Sequence, residues 1–548
     1  ELAEGGTAEV TLPFSASEQG WARINVALTT PDGRTLSQEV AIPVRRNDPP
    51  VSETRRIALD PGQTLRFDRD VFANYVPGTG SATLAAGPQA RLDVPGLLKL
   101  LADYPYACTE QTASRLLPLL YFTETLSQMG LPPAEDAARQ AVARILANQS
   151  ANGSFGLWQA GSGDLWLDAY ATDVLLRTKE QGGAVPERAL TSALDNLRNQ
   201  LSFAPDFDAR GGPWAYAMLV LTRAGRAPVD DLRYYADVKA AAFDTPLAAA
   251  QLGAALATTG DQSRADRLFA QAGEMALERL GAPGNRTGRD DYGSDRRDAA
   301  GMVALAAEAG SRAAPLDRIV ARLGEDATGT ASTQEAAWTL LAAHALSAET
   351  SGDITVNGAP VAGSAVQALS DDEAATPVTV SNNGGTASLL TLTTFGVPAV
   401  AEPAGGQGYA ITRRYTTLSG EPVNGPLAPG TRLVAVIEVT PTETVPARLV
   451  IDDPLPGGLE IDNPNLLRAG DLSQLDWLQP TETVAHAEFR EDRFVAQVDS
   501  DGVEVLRLAY ILRAVTPGRY HHPAASVADM YRPDYRAVTD SGTIEVAP

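Results

Sequence analysis

Hydrophobic residues in this chain change their period twice along its length. That constrains the fold more than any other feature of the sequence. Up to about residue 89 apolar side chains alternate, as in Ala22 to Leu28 and Val40 to Val44; from about 94 to 351 they recur at helical spacing; from 353 onward the alternation returns. The first 48 residues predict about three strands, Glu9 to Phe14 among them, with a turn at Thr30-Pro31-Asp32-Gly33. Three strands are too few for a sandwich, so this reading expects a domain that starts upstream. The middle stretch predicts helices at Leu165 to Lys179, Ala215 to Ala224, Leu247 to Thr258, Asp298 to Ala309 and Gln334 to Ala348. Helical blocks spaced irregularly with polar connections suit either a closed ring of paired helices or a solenoid. Beyond it, strands are expected at Ile354 to Val356, Leu433 to Val439, Ala447 to Ile451, Phe494 to Val498, Val503 to Ala514 and Thr543 to Val546. Strands on both sides of a helical block suggest a β-domain with the helical domain inserted in it. The last 148 or so residues read as a β-sandwich. A length of 548 residues has room for three or four domains.

Charge and composition narrow the function. With 44 basic and 68 acidic residues the net charge is −24, and no Lys/Arg stripe offers contacts to a phosphate backbone. Nucleic acid is therefore not an expected partner. No apolar run reaches the eighteen or so residues of a membrane-spanning helix. One cysteine, Cys108, excludes an internal disulfide and a multi-cysteine zinc site, and with it the zinc chemistry of helical-ring prenyltransferases. No cofactor or metal is expected. The pair Asp290 and Asp291 reads as a solvated loop rather than a glycosidase dyad.

The chemistry gathers around Tyr104-Pro105-Tyr106-Ala107-Cys108-Thr109-Glu110-Gln111-Thr112. Pro105 disfavours helix at Tyr104, and the residues after Thr109 turn apolar, so Cys108 is placed where a loop enters a helix that Pro118 kinks or ends. At a helix entrance the dipole and free N–H groups are expected to lower a thiol's pKa. Gln111, three residues on, lies about one turn away. Attack of the thiolate on its carboxamide, with loss of ammonia, would give an internal thioester, a stored acyl donor. Glu110 either stabilises the helix N-terminus as an anion or assists proton transfer.

Cys-x-Glu-Gln resembles the thioester motif of the alpha-2-macroglobulin and complement superfamily, and its flanks look like those of the bacterial alpha-2-macroglobulins. Two positions depart from the pattern: Ala107 stands where glycine is common, and Thr109 where bacterial relatives often carry leucine. The resemblance implies an α/α-toroid thioester domain (93–351) inserted in a CUB-like β-domain (49–92 and 352–400), flanked by macroglobulin-like β-sandwich domains (a partial one over 1–48, and 401–548). It implies a one-shot, broad-spectrum peptidase inhibitor rather than an enzyme. A lysine amine of an attacking protease would become joined to Gln111. It also implies a lid from the last domain, matched here by Met530 and Tyr531 in Asp529-Met530-Tyr531-Arg532-Pro533-Asp534-Tyr535. A stored thioester needs an apolar, aromatic shield, for which Tyr104, Tyr106 and Trp166 are candidates. By the same resemblance the protein would be periplasmic, anchored through an N-terminal lipidated segment, and a possible partner of a cell-wall synthase. Two other classes stay open from the residues: a covalent adhesin or binding module that uses the same bond, and a cysteine-dependent enzyme pairing Cys108 with His344, the one histidine of the helical stretch.

Overall fold

The alanine-rich helices of the middle stretch are buried on nearly every side. In Leu165–Glu180 every residue from Trp166 to Thr178 is buried, and Pro246–Thr258 is buried from Pro246 to Leu256. Helices apolar all round have to sit inside a second layer, and in the computed structural model they do. Six of them, Thr109–Leu119, Leu165–Glu180, Gly212–Arg223, Pro246–Thr258, Asp295–Glu308 and Thr333–Ala345, touch in that order, and the last returns to the first. The ring is closed, which decides against a solenoid. Around it lie Val94–Asp103, Ala134–Ala147, Glu187–Ser202, Val229–Val238, Gln262–Gly281 and Leu316–Glu325; all but the first, which is buried throughout its first half, bury only an inner stripe. Small residues let the inner helices approach closely: a Cβ at Gly301 would come within 2.7 Å of Leu247 and 3.1 Å of Trp338.

The structure describes the chain apart from residues 1–6, 8–14, 17–18, 204–206, 282–288, 290, 326–329, 347–352, 362–363, 372–375, 466–469, 474, 482–483 and 548. The strand expected at Glu9 to Phe14, the end of the helix expected to reach Ala348, and Asp290 lie outside the described residues. Among the described ones, Gly20–Thr29 and Thr35–Val44 pair as an antiparallel hairpin across the expected turn, where Gly33 takes φ of 82°.

Two four-stranded sheets carry the ring. One runs Val51–Leu59, Ser388–Gly396, Ser81–Ala86, Ala365–Ser370; the other Thr64–Phe67, Val378–Asn382, Ile354–Val356, Ala359–Val361. Each sheet combines strands from before and after the helices, and in the first they alternate, so the helical unit is an insertion in a β-unit. The last unit packs a six-stranded sheet, containing Arg532–Val538, Ser526–Asp529, Ala447–Pro454, Arg493–Ser500 and Val484–Phe489, on a four-stranded one of Tyr409–Thr416, Arg432–Pro441, Leu506–Ala514 and Leu459–Ile461. Val503 to Val505 do not join the strand expected there; Val503 and Val505 are exposed, and pairing starts at Leu506. The alternating inner faces of the two sheets form its core, Ile437, Leu449, Phe494, Tyr510 and Val527 among them.

Candidate functional site

Cys108 is the N-cap of the inner helix Thr109–Leu119, with φ of −69° and ψ of 174°. A serine or threonine normally fills this position; here the sulfur takes the role. Its Sγ accepts from Gln111 N at 3.4 Å, and Gln111 Oε1 accepts in return from Cys108 N at 3.1 Å. The reciprocal pair is a capping box, and it holds thiol and carboxamide against each other at one helix end. The other carboxamide atom, Nε2, donates to Tyr104 Oη at 3.2 Å. Tyr104 ends the helix Val94–Asp103 in extended conformation, as Pro105 dictates. Pro118 falls in the last turn of its own helix, which stops at Leu119; the helix ends there without a kinked continuation.

Cys108, Glu110 and Gln111 are 0% exposed. Burial decides the thiol's acidity against the expectation from the helix end. Desolvation pushes the Cys108 thiol well above its ordinary pKa, and the nearby Glu110 charge adds to the rise. Hydrogen bonds from the Gln111 and Glu110 amides and the charge of Arg448 offset only part of it. A helix N-terminus lowers a thiol's pKa where water still reaches the sulfur; here it does not.

Thr109, the departure from leucine, anchors the loop. Its hydroxyl donates to Gly156 O at 2.6 Å and accepts from Asn148 Nδ2 at 2.8 Å, while its amide donates to Leu157 O at 2.8 Å. Arg144 Nε donates to Ala107 O at 2.9 Å.

Glu110 is a hub. Its carboxylate accepts from Ser114 Oγ at 2.6 Å, Gln334 Nε2 at 2.7 Å, Thr333 Oγ1 at 3.1 Å and, from the last β-unit, Tyr531 Oη at 2.9 Å. Thr333 and Gln334 open the neighbouring inner helix, so the carboxylate sits between two helix N-termini. Burial still raises its pKa. Met530 and Tyr531, 5% and 6% exposed, belong to the apolar core of the helical unit although the chain reaches them more than 400 residues after Cys108. Tyr531 meets Tyr292 edge-on at 5.2 Å.

The aromatic wall is uneven. Tyr104 and Tyr106 meet edge-on at 5.5 Å, and Tyr106 Oη donates to Asp452 Oδ2 of the last unit at 3.1 Å. Trp166 instead lies in the aromatic axis of the ring, against Tyr170, Tyr216 and Tyr292, and it is Tyr292 that faces Tyr531. Outside this centre, Trp158 stacks flat on His486 of the last unit at 5.3 Å, and Arg490 Nη2 donates to Pro105 O at 3.1 Å.

His344 is at the wrong end. It stacks on Tyr121, just past the far end of the Cys108 helix, at 4.4 Å. Eleven residues of helix separate the two ends, roughly 16 Å at the usual rise, so no Cys–His dyad forms. Asp291 pairs with Arg289 and Arg297, not with a second carboxylate. Among the described residues no three His, Cys, Asp or Glu side chains converge as metal ligands, and no helix is long and apolar enough to cross a membrane.

Sequence reasoning missed Ser114, Thr333, Gln334, Tyr292, Asp452 and Arg448. Ser114 was within reach, one turn beyond Glu110; the others are far along the chain and carry no local signal.

Comparison with known proteins adds to this geometry. Residues 84–205 match the A-macroglobulin TED domain, and residues 408–534 match the bacterial alpha-2-macroglobulin MG10 domain. The chain is 33% identical to Escherichia coli alpha-2-macroglobulin over 88% of its own length and 31% of that protein's, and 31% identical to Xylella fastidiosa alpha-2-macroglobulin over 94% and 33%. It thus spans about a third of the length of these curated relatives. The crystal structure of native E. coli alpha-2-macroglobulin from domain MG7 to the C-terminus superposes with a TM-score of 0.81 at 30% identity, covering 96% of this chain and 88% of that one. Salmonella alpha-2-macroglobulin reacted with methylamine superposes with a TM-score of 0.82 at 30% identity, over 97% of this chain and 36% of that one.

Proposed function

The chain belongs to the bacterial alpha-2-macroglobulin family, and from that premise we propose that it is the acyl-donating part of a covalent protease trap. The Cys108 sulfur attacks the Gln111 carboxamide carbon, the thiol's proton passes to the amide nitrogen, the C–N bond breaks and ammonia leaves, so that sulfur and acyl group are stored as a thioester. An amine then attacks the same carbon, the C–S bond breaks, the amine loses a proton, and Cys108 departs as a thiol while Gln111 carries the captured amine. One such event consumes the site, so the protein is an inhibitor without turnover.

The observation that carries this reading is the buried Cys108–Gln111 pair, sealed by a tyrosine of a distant unit that is hydrogen-bonded to Glu110 of the same motif. Shielding matters more than activation: a buried, high-pKa thiol is a poor leaving group, which keeps the acyl donor inert while Met530 and Tyr531 stay in place. Displacing them admits water and the lysine amine together. Tyr104 positions the acyl side through its bond to Gln111, Tyr106 ties the loop to the last unit, and Trp166 backs the pocket through Tyr292. A relative that reacts with methylamine fits the same chemistry.

Attacking proteases are the proposed partners, and a periplasmic location is the setting we assign. The divisions at about 48, 92, 351 and 400 are retained as the domain scheme, which limited proteolysis tests. The experiment for the function is incubation with a biotinylated primary amine, followed by peptide mapping. The label is expected on Gln111 and absent from a Cys108→Ala chain. Labelling that persists in Cys108→Ala would overturn the reading.

A further inference from the structure

The hairpin Gly20–Thr29 and Thr35–Val44 is exposed over most of its length, and residues 45–50 join it to the first strand of the next unit, Val51–Leu59. An asparagine in such a connection ordinarily bonds to its own neighbours in the chain. Asn47 does not. Its Nδ2 donates to Asp492 O at 2.6 Å and to Leu455 O at 3.1 Å, and its Oδ1 accepts from Arg493 Nη2 at 2.7 Å, all in the last β-unit and more than 400 residues away. Both amide protons and the oxygen are spent on that one unit. Beside it, Asp48 Oδ1 meets His521 Nε2 of the same unit at 2.7 Å.

The bonds continue towards the thiol. Arg493 is shared: its Nη1 donates to Asp452 Oδ2 at 3.1 Å while its Nη2 holds Asn47. Asp452 is shared in turn, because the same Oδ2 accepts from Tyr106 Oη at 3.1 Å. Tyr106 lies two residues before Cys108 and meets Tyr104, whose hydroxyl accepts from the Gln111 carboxamide. The Arg493 and Asp452 side chains are 19% and 9% exposed, so salt screens their pairing little. A planar guanidinium that holds two acceptors fixes each relative to the other.

We propose that residues 46–48 are a strap fastening the last unit over the motif, and that Asn47 is a positioning residue acting through Arg493 and Asp452 on Tyr106. Arg45 and Arg46 alone separate the end of the hairpin from Asn47, three Cα steps or about 11 Å fully extended. Pro49 and Pro50 stiffen the chain on the other side. A larger displacement of the hairpin therefore pulls Asn47 from its bonds. Arg493 then keeps Asp492, 3.0 Å away and half exposed, as its partner, and is free to turn from Asp452 and loosen the hold on Tyr106.

The strap thus couples the position of the first unit to the shielding of the Cys108–Gln111 pair, with the closed and open arrangements as the two states it biases. That regulation rests on the thioester reading above; the fastening itself does not.

The test is the rate of thiol release by methylamine in the full chain, in Asn47→Ala, Tyr106→Phe and Tyr531→Phe, and in Asn47→Ala combined with each of the other two. Asn47→Ala is expected to speed release about tenfold. Its effect should multiply with that of Tyr531→Phe, which lies outside the chain of bonds, and fall short of multiplying with that of Tyr106→Phe, which lies in it. An unchanged rate in Asn47→Ala, or effects that multiply in both doubles, would overturn the relay. Hydrogen exchange reads the strap without the thioester: the Tyr106 and Ala107 amides should exchange faster in Cys108→Ala/Asn47→Ala than in Cys108→Ala, with the core strand Arg432–Pro441 unchanged. Equal exchange at Tyr106 and Ala107, or a rise shared by that strand, would overturn the strap. Faster exchange confined to the loop, with no thiol released from the wild type, would sink the thioester reading and leave the strap standing.

Discussion

At Glu110 one carboxylate joins two inner helices and Tyr531 of the last unit, and each of its hydrogen bonds comes from a neutral group. Tyr531→Phe removes the donor that the last unit contributes. A hydrogen bond to a charged group is worth about 2 kcal/mol net, so thiol release by methylamine should rise roughly thirtyfold; an unchanged rate would show that the hydroxyl does not hold the lid. Thr109→Val tests the loop anchor at the same scale. It leaves buried Asn148 Nδ2 without the acceptor it uses and should destabilise the helical unit by about 1–3 kcal/mol, measured by urea unfolding followed through helical circular dichroism. The sequence made Cys108, Gln111 and their spacing legible because a helix turn is a local rule. It did not show which residues would supply the hub, because Thr333, Gln334 and Tyr531 converge on Glu110 only through ring closure and docking. Nor could the thiol's acidity be read from the helix end alone, since the sign turned on burial.

At the scale of elements, the helix Val94–Asp103 starts the insertion, and Asp93 caps it from a left-handed conformation, φ 49°. The carboxylate accepts from Gly96 N at 3.3 Å and from Thr393 Oγ1 of a β-strand at 2.6 Å, tying helix to sheet. Burial pushes its pKa up to about 6 from 3.8. A carboxyl raised on folding stabilises the protein fully below its unfolded pKa, and that contribution is lost as pH rises through the folded value. Stability should therefore fall by about 3 kcal/mol between pH 4 and 6 on this account, and Asp93→Asn, which tolerates the left-handed backbone, should flatten that slope. Equal slopes in urea titrations of the two chains would refute the assignment. The period of the apolar residues located most of these elements: each of the five expected helices lies within three residues of an observed one over its described length. It could not distinguish ring from solenoid, because closure depends on the last inner helix, Thr333–Ala345, meeting Thr109–Leu119, a contact between segments more than 200 residues apart.

Across the whole molecule, the last unit covers the site with a buried centre and a wetter rim. Tyr531 at the centre is fully packed; Tyr106 with Asp452 is partly buried; Arg490 on Pro105 O is exposed. Contacts that exclude water carry most of an interface's energy. Substitutions should therefore speed methylamine-driven thiol release in the order Tyr531→Ala, Tyr106→Phe, Arg490→Ala, with the last close to wild type. A reversed order would place the seal at the rim. The alternation of β and helical patterning in the sequence conveyed the insertion, but not the docking of the last unit on the ring, which rests on a few side chains 400 residues from the motif.

The most direct measurement of the central claim is the intact mass of the native chain before and after methylamine, with thiol titration alongside. The account predicts a native mass lower than the encoded one by one ammonia and no reactive thiol. After the amine is added, the mass should rise by one methylamine and one thiol should appear per chain. A native chain at its full encoded mass that gains nothing from methylamine would contradict it.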